Sequence, residues 1–172
     1  MNRKIITAGI VLVVAFQMTV LFAEYLGAVY PLWTGKEIRL KTTPVDPRSL
    51  FMGNYALLDY EISTINGKDF ASGKIPRAGE YVYVKLKPGQ EGWYVFDGVD
   101  PEKPASGTFI RGRLQSGHTS QDIQRVRYGI EAYFASKEKA TALEKDLRKG
   151  GIAVVMVAGN GKAALKEVVA KQ

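Results

Sequence analysis

Few side chains in this sequence have the type and spacing to do chemistry. Ser49 stands four residues before Gly53, and Lys85 lies on a stretch that alternates as a strand does. A serine hydroxyl activated by a neutral lysine is a workable nucleophile, so the two form a candidate pair. Asp97, Asp100 and Glu102 are close enough in sequence to offer paired carboxylates, but their Asp-Gly and Asp-Pro contexts are explained more simply as turns. Arg48 lies in a segment restrained by Pro44 and Pro47, where a guanidinium forks onto a carboxylate or phosphate; an internal pair with Asp46 or Asp59 is the simpler use. His118 is the only histidine and cysteine is absent, which removes thiol catalysis, thiolate metal sites, disulfides and a histidine triad. Gly159, Asn160, Gly161 and Lys162 lack the spacing of a phosphate loop, so no cofactor is expected.

The densest run of unusual residues, PVDPRSLFMGNYALLDY, extends from Pro44 to Tyr60. Gly53, Asn54, Tyr55, Leu58 and Tyr60 occupy the positions of a GDYxxLxY motif, and the chain resembles the bacterial family named for it. Similarity reaches upstream through Pro44 to Arg48 and downstream to a YGIExYF-like stretch at Tyr128 to Phe134, covering most of the domain. The resemblance implies an N-terminal membrane span and association with multi-spanning membrane proteins, and no activity. Asn54 replaces the motif's aspartate; it cannot ionise, which argues against an acid or metal ligand there. Gly53 and Asn54 tolerate positive φ and suit a turn into a strand, after which the tyrosines and Leu58 pack on sheet faces. Tyr55 and Tyr60, five apart, point to opposite faces of a regular strand, while Leu58 and Tyr60 share one. The alternative is a binding groove lined by Arg48, Tyr55 and Tyr60. A membrane-anchored β domain with such a segment is also similar to bacterial signal peptidases, in which Ser49 would be the nucleophile, but Arg48-Ser49-Leu50 lacks their Ser-Met-x-Pro pattern.

The element that positions all of this is the N-terminus. Ile5 to Ala23 carries no charge, and about 19 residues at a rise of 1.5 Å span roughly 28 Å, the hydrocarbon thickness of a bilayer. A cleavable signal has a shorter apolar core and a small-x-small site, which the residues from Leu21 to Tyr25 do not supply. Arg3 and Lys4 precede the stretch and Glu24 follows it, so the positive-inside rule puts the N-terminus in the cytoplasm. The expected organisation is a cytoplasmic end at 1–4, a transmembrane helix at 5–24, an interfacial linker at 25–35 bearing Tyr25, Tyr30 and Trp33 with the helix continuing as far as Pro31, and a periplasmic domain at 36–172.

The domain reads as β-dominant α+β, a compact antiparallel barrel or sandwich with one helix. Strands are expected at Glu37–Thr42, Tyr55–Ser63, Tyr81–Lys87, Gly92–Val99, Thr108–Gln115, Arg125–Phe134 and Ile152–Ala158, by period-two alternation or short apolar runs between turn residues. Asn66 with Gly67 signals a type I′ turn, and Asn160 with Gly161 a second hairpin that brings Ala163–Val169 back as a closing strand, a helix being the competing reading. Ser116–Gln124 reads as an exposed polar loop. Ser136 is a good N-cap for a helix over 136–149 that ends at Gly150 and Gly151.

The 24 basic and 17 acidic residues leave a net charge of +7 with no long run of one sign, which suits neither a basic stripe nor a nucleic-acid module. Weak attraction to anionic headgroups is the natural use of that charge beside a bilayer. The function expected is a non-enzymatic accessory or assembly subunit of a bacterial inner-membrane complex, docking through the anchor and residues 44–60. A membrane-tethered serine-lysine hydrolase and an envelope ligand sensor are the alternatives.

Overall fold

The computed structural model describes residues 3–43, 55–70, 73, 75–115, 123–134 and 150–170. One helix, α1 (Arg3–Thr34), precedes eleven described strands: β1 (Lys36–Thr43), β2 (Tyr55–Leu57), β3 (Asp59–Tyr60), β4 (Thr64–Asn66), β5 (Tyr81–Pro88), β6 (Tyr94–Asp100), β7 (Thr108–Leu114), β8 (Ile123–Arg127), β9 (Ala132–Phe134), β10 (Gly151–Val157) and β11 (Ala163–Ala170). The strands make a curled antiparallel half-barrel sheet and a second sheet, so the fold is an apolar helix plus a β-rich domain.

α1 is apolar on all sides and long enough to cross a membrane, and its apolar window is wholly exposed. A helix without a polar face has no use for water on any side. It does not stop at Glu24. It continues through Pro31, its one buried residue, and its last turns pack on β10 and β11. The junction is tight. Gly35 donates its N–H to the Pro31 carbonyl at 2.9 Å, and a Cβ added there would lie 2.3 Å from that oxygen and 2.9 Å from the Val157 amide nitrogen.

In the first sheet β1 is the pivot, in the order β11-β10-β1-β3. Residues Lys36 to Lys41 pair with β10, while Thr42 and Thr43 pair with Tyr60 and Asp59 of β3. The second sheet runs β4-β8-β7-β5-β6, and β2 with β9 forms a separate ribbon. Alternation in β5 follows the sequence: Val82, Val84 and Leu86 are buried, while Tyr81, Tyr83 and Lys85 face outward. Ile38 and Leu40 of β1, Val155 of β10, Ile110 of β7 and Val126 of β8 join them in one core. The 163–169 segment is a strand paired with β10, not a helix. Gly161, at φ 80°, takes the left-handed position in the connecting turn, which a side chain would strain.

Several expected elements are subdivided or displaced. Tyr55–Ser63 breaks at Leu58, because β2 pairs with β9 and β3 with β1, and it ends in a 3-10 turn at Glu61–Ser63. Arg125–Phe134 likewise breaks into β8 and β9 around Gly129, at φ 82°. Ile123 and Gln124, expected in a loop, begin β8. Asn66 is extended rather than the corner of a hairpin: it caps a 3-10 turn at Gly67–Asp69, where the Asp69 carboxylate accepts the Asn66 N–H at 3.2 Å. A carboxylate three residues on stabilises that cap over the I′ turn. Asp97 and Gly98 lie inside β6, at a bulge opposite the Lys85/Leu86 step of β5, rather than in a turn. The helix expected over 136–149 and His118 lie outside the described residues.

Replacing Gly35 by alanine forces α1 off β10. The expected cost is about 1–3 kcal/mol, as for other overpacked sites, read from urea unfolding of the full chain in detergent. An unchanged midpoint would show that the junction is loose.

Candidate functional site

The motif residues that the structure describes are held by a reciprocal tyrosine clasp. Where the chain leaves β3 for β4 through the 3-10 turn at Glu61–Ser63, and where it leaves β8 for β9, it passes from one sheet to another, and a carbonyl at each of these breaks takes a tyrosine hydroxyl as its donor. Tyr60 donates its phenol O–H to the Ile130 carbonyl at 2.6 Å, and Tyr128 donates its own to the Ile62 carbonyl at 2.5 Å. The two rings meet edge to face, with centroids 6.5 Å apart, a favoured aromatic geometry. Leu58 donates its N–H to the Glu131 carbonyl at 2.7 Å. The Glu131 carboxylate in turn accepts the N–H groups of Tyr128 at 2.6 Å and Gly129 at 2.9 Å. Asp59 accepts the Tyr60 N–H at 3.1 Å and pairs with Arg125 at 2.5 Å.

Tyr60 is 1% exposed and Leu58 2%. Burial, and then the carboxylates of Glu131 and Asp59, push both phenols well above their ordinary value near 10. Each therefore stays a neutral donor, and neither offers a face to a ligand.

Two segments singled out in the sequence, 55–60 and 128–134, are thus brought together: besides the clasp, Tyr55, Ala56 and Leu57 pair with Phe134, Tyr133 and Ala132. Arg48, Ser49, Gly53 and Asn54 lie outside the described residues. Asp59, one expected partner for Arg48, is engaged by Arg125. Lys85, the other half of the serine-lysine pair, is on the solvent side in an ion pair with Asp100 at 2.5 Å, unlike the buried neutral lysine such a base requires. Asp97 pairs with Lys87 at 2.8 Å. Both aspartates thus serve to brace β5 against β6. Among the described residues no group of acids or histidines is arranged to hold a metal ion.

A cleft of about 260 Å³ opens beside the clasp, lined by Asp59, Ser63, Arg125, Arg127 and Glu131 among others. The Ser63 hydroxyl is buried there without a hydrogen-bond partner among the described residues. Arg127 and Glu131 also line a larger groove of about 860 Å³, together with Arg111, Arg113 and Lys162. The sequence reading did not group these four cations, because they come from two strands, β7 and β8, and a hairpin turn. The alternation of Arg111 and Arg113 about Gly112 was the only local signal.

A β-rich domain led by an apolar helix agrees with the fold class expected from the sequence. The family model described as GDYXXLXY protein matches residues 17–168. The chain belongs to the GDYXXLXY family. No curated protein and no solved structure matches it.

The clasp makes a measurable claim. Tyr60→Phe leaves the buried Ile130 carbonyl without its donor and is expected to cost about 1–3 kcal/mol, with Tyr128→Phe similar. Because the folded phenols titrate above the unfolded ones, the folded state holds more protons at high pH. The clasp's contribution is therefore complete below pH about 10 and lost as pH rises above it. The double phenylalanine variant should lose that alkaline decline in a denaturation series, and a decline as steep as in the wild type would refute the assignment.

Proposed function

We propose that the protein is a membrane-anchored, non-enzymatic accessory subunit of a bacterial inner-membrane complex. In this reading α1 spans the membrane with Arg3 and Lys4 on the cytoplasmic side. The β domain stands in the periplasm and docks, with the 44–60 region, on a multi-spanning partner.

The observation that carries the reading is the continuity of α1. It passes unbroken through residues 21–25, where a cleaved signal would end, and its last turns are packed on β10 and β11. A helix built into the domain at one end and apolar on all sides at the other suits a permanent tether. Tyr25, Tyr30 and Trp33 are exposed along its outer end, as interfacial aromatic anchors are. The clasp supports a non-catalytic role for the motif: the described polar groups of 58–60 and 128–131 are committed to holding the chain. Leu58 and Tyr60 then shape the docking region from beneath, and the contact itself falls to their surface neighbours.

Crosslinking in intact cells followed by solubilisation of the tagged full chain is expected to recover a multi-spanning protein in constant proportion. Recovery of the chain alone would overturn the subunit reading. Alkaline carbonate should leave the chain in the membrane pellet, and protease added to spheroplasts should degrade the domain. A protected domain would reverse the orientation.

A further inference from the structure

We infer that the groove formed by Arg111, Arg113, Arg127 and Lys162 is a binding site for the phosphate of an anionic lipid headgroup, beside the point where α1 leaves the bilayer. The inference rests on the reading that α1 spans the membrane.

The groove is built for a fixed constellation of positive charge. Arg111 and Arg113 project outward from β7 on either side of Gly112, which faces inward. A Cβ on Gly112 would lie 2.3 Å from a Val126 methyl, so the glycine lets β8 lie close and sets Arg127 directly opposite Arg113. Tyr81 holds the two β7 arginines in place: its ring centroid is 4.5 Å from the Arg111 guanidinium carbon and 4.1 Å from that of Arg113. Arg113 also donates to the Tyr81 hydroxyl at 2.7 Å and to the Gly79 carbonyl at 3.0 Å. A stacked guanidinium keeps its edge N–H groups in one plane, suited to phosphate oxygens.

These cations also lack the partners that others in this domain have. Lys85, Lys87, Arg125 and Lys166 each pair with a carboxylate. Among the described residues none of the four groove cations does, and the one carboxylate lining the groove, Glu131, already accepts two backbone N–H groups. Like charges gathered without counter-charge are costly unless an anion completes the set.

Position selects the anion's source. The Arg111 N–H donates to the Gly161 carbonyl at 2.8 Å, which ties β7 to the β10–β11 turn. The next residue, Lys162, reaches α1: its ammonium lies 3.6 Å from where a Cβ on Gly27 would be. Gly27 is four residues past Ala23, about 6 Å along the helix, within the headgroup layer of roughly 5–8 Å that borders the hydrocarbon. The end of the groove at Lys162 therefore lies at headgroup depth, where phosphate is concentrated. A soluble anion would gain nothing from that placement.

The test uses the full chain in nanodiscs of equal parts phosphatidylcholine and phosphatidylglycerol, with retained lipids identified by native mass spectrometry. The wild type is expected to keep phosphatidylglycerol in preference to phosphatidylcholine, and Arg111→Gln/Arg127→Gln/Lys162→Gln to reduce that preference by roughly tenfold or more, each cation near a lipid surface being worth about fivefold. Arg127→Gln/Lys162→Gln, which spares the Tyr81 stack, should give a smaller loss and serves if the triple variant misfolds. Lys85→Gln/Lys87→Gln/Lys166→Gln removes equal charge from paired sites and should leave the preference intact; an equal loss there would reduce the effect to net charge and overturn the site. Displacement of the lipid by millimolar inorganic phosphate would overturn the lipid assignment. A chain that does not enter the discs fails the anchor reading, whereas one that enters and shows no lipid preference fails only the groove.

Discussion

Everything in the domain depends on a backbone that changes sheet between β3 and β4 and again between β8 and β9, and must not leave its carbonyls stranded there. Tyr60 and Tyr128 meet that need reciprocally, each closing the break made by the other's segment. A buried carbonyl without a donor costs about 1–3 kcal/mol, a large share of the stability of a small domain. The motif is thus first a solution to a hydrogen-bonding problem. Its tyrosines are conspicuous in sequence because a phenol is long enough to reach across the core and polar only at its tip.

The same segments set the surface chemistry nearby. Glu131 is consumed by the turn at Tyr128 and Gly129, and Asp59 by Arg125. Both carboxylates are thereby withheld from Arg127, which with Arg111, Arg113 and Lys162 keeps its charge uncompensated by the described side chains. Structural use of acids beside the clasp and the positive groove next to it are two results of one arrangement. The helix joins this arrangement through Lys162 at Gly27 and through Gly35 against Val157, so groove and tether are neighbours in the fold.

Much of the fold was legible residue by residue. Tyr81 to Leu86 announced its two faces by alternation, and Ile152 to Ala158 its burial by an apolar run, because each signal is local to a single strand. Asn66 with Gly67 misled, since the pair suits a hairpin but Asp69 captures the Asn66 amide first. Asp97 with Gly98 misled similarly, a bulge and a turn asking the same backbone freedom of glycine. The burial of Leu58 and Tyr60 was legible as shared parity. Their partners at Glu131 and Ile130 were not, being some seventy positions away along the chain.

By itself the sequence determined that an apolar helix leads a β-rich domain, that the domain must be held by packing without disulfides, and that its densest run of unusual residue types extends from Pro44 to Tyr60. Those properties follow from composition and short-range periodicity, which need no knowledge of what lies opposite. Tertiary structure alone decided that the tyrosines are braces, that Lys85 is ion-paired, and that four cations from two strands and a hairpin turn share a groove near the foot of the helix. Pairing register and sheet curvature bring such residues together, and neither is written in the spacing of any one segment.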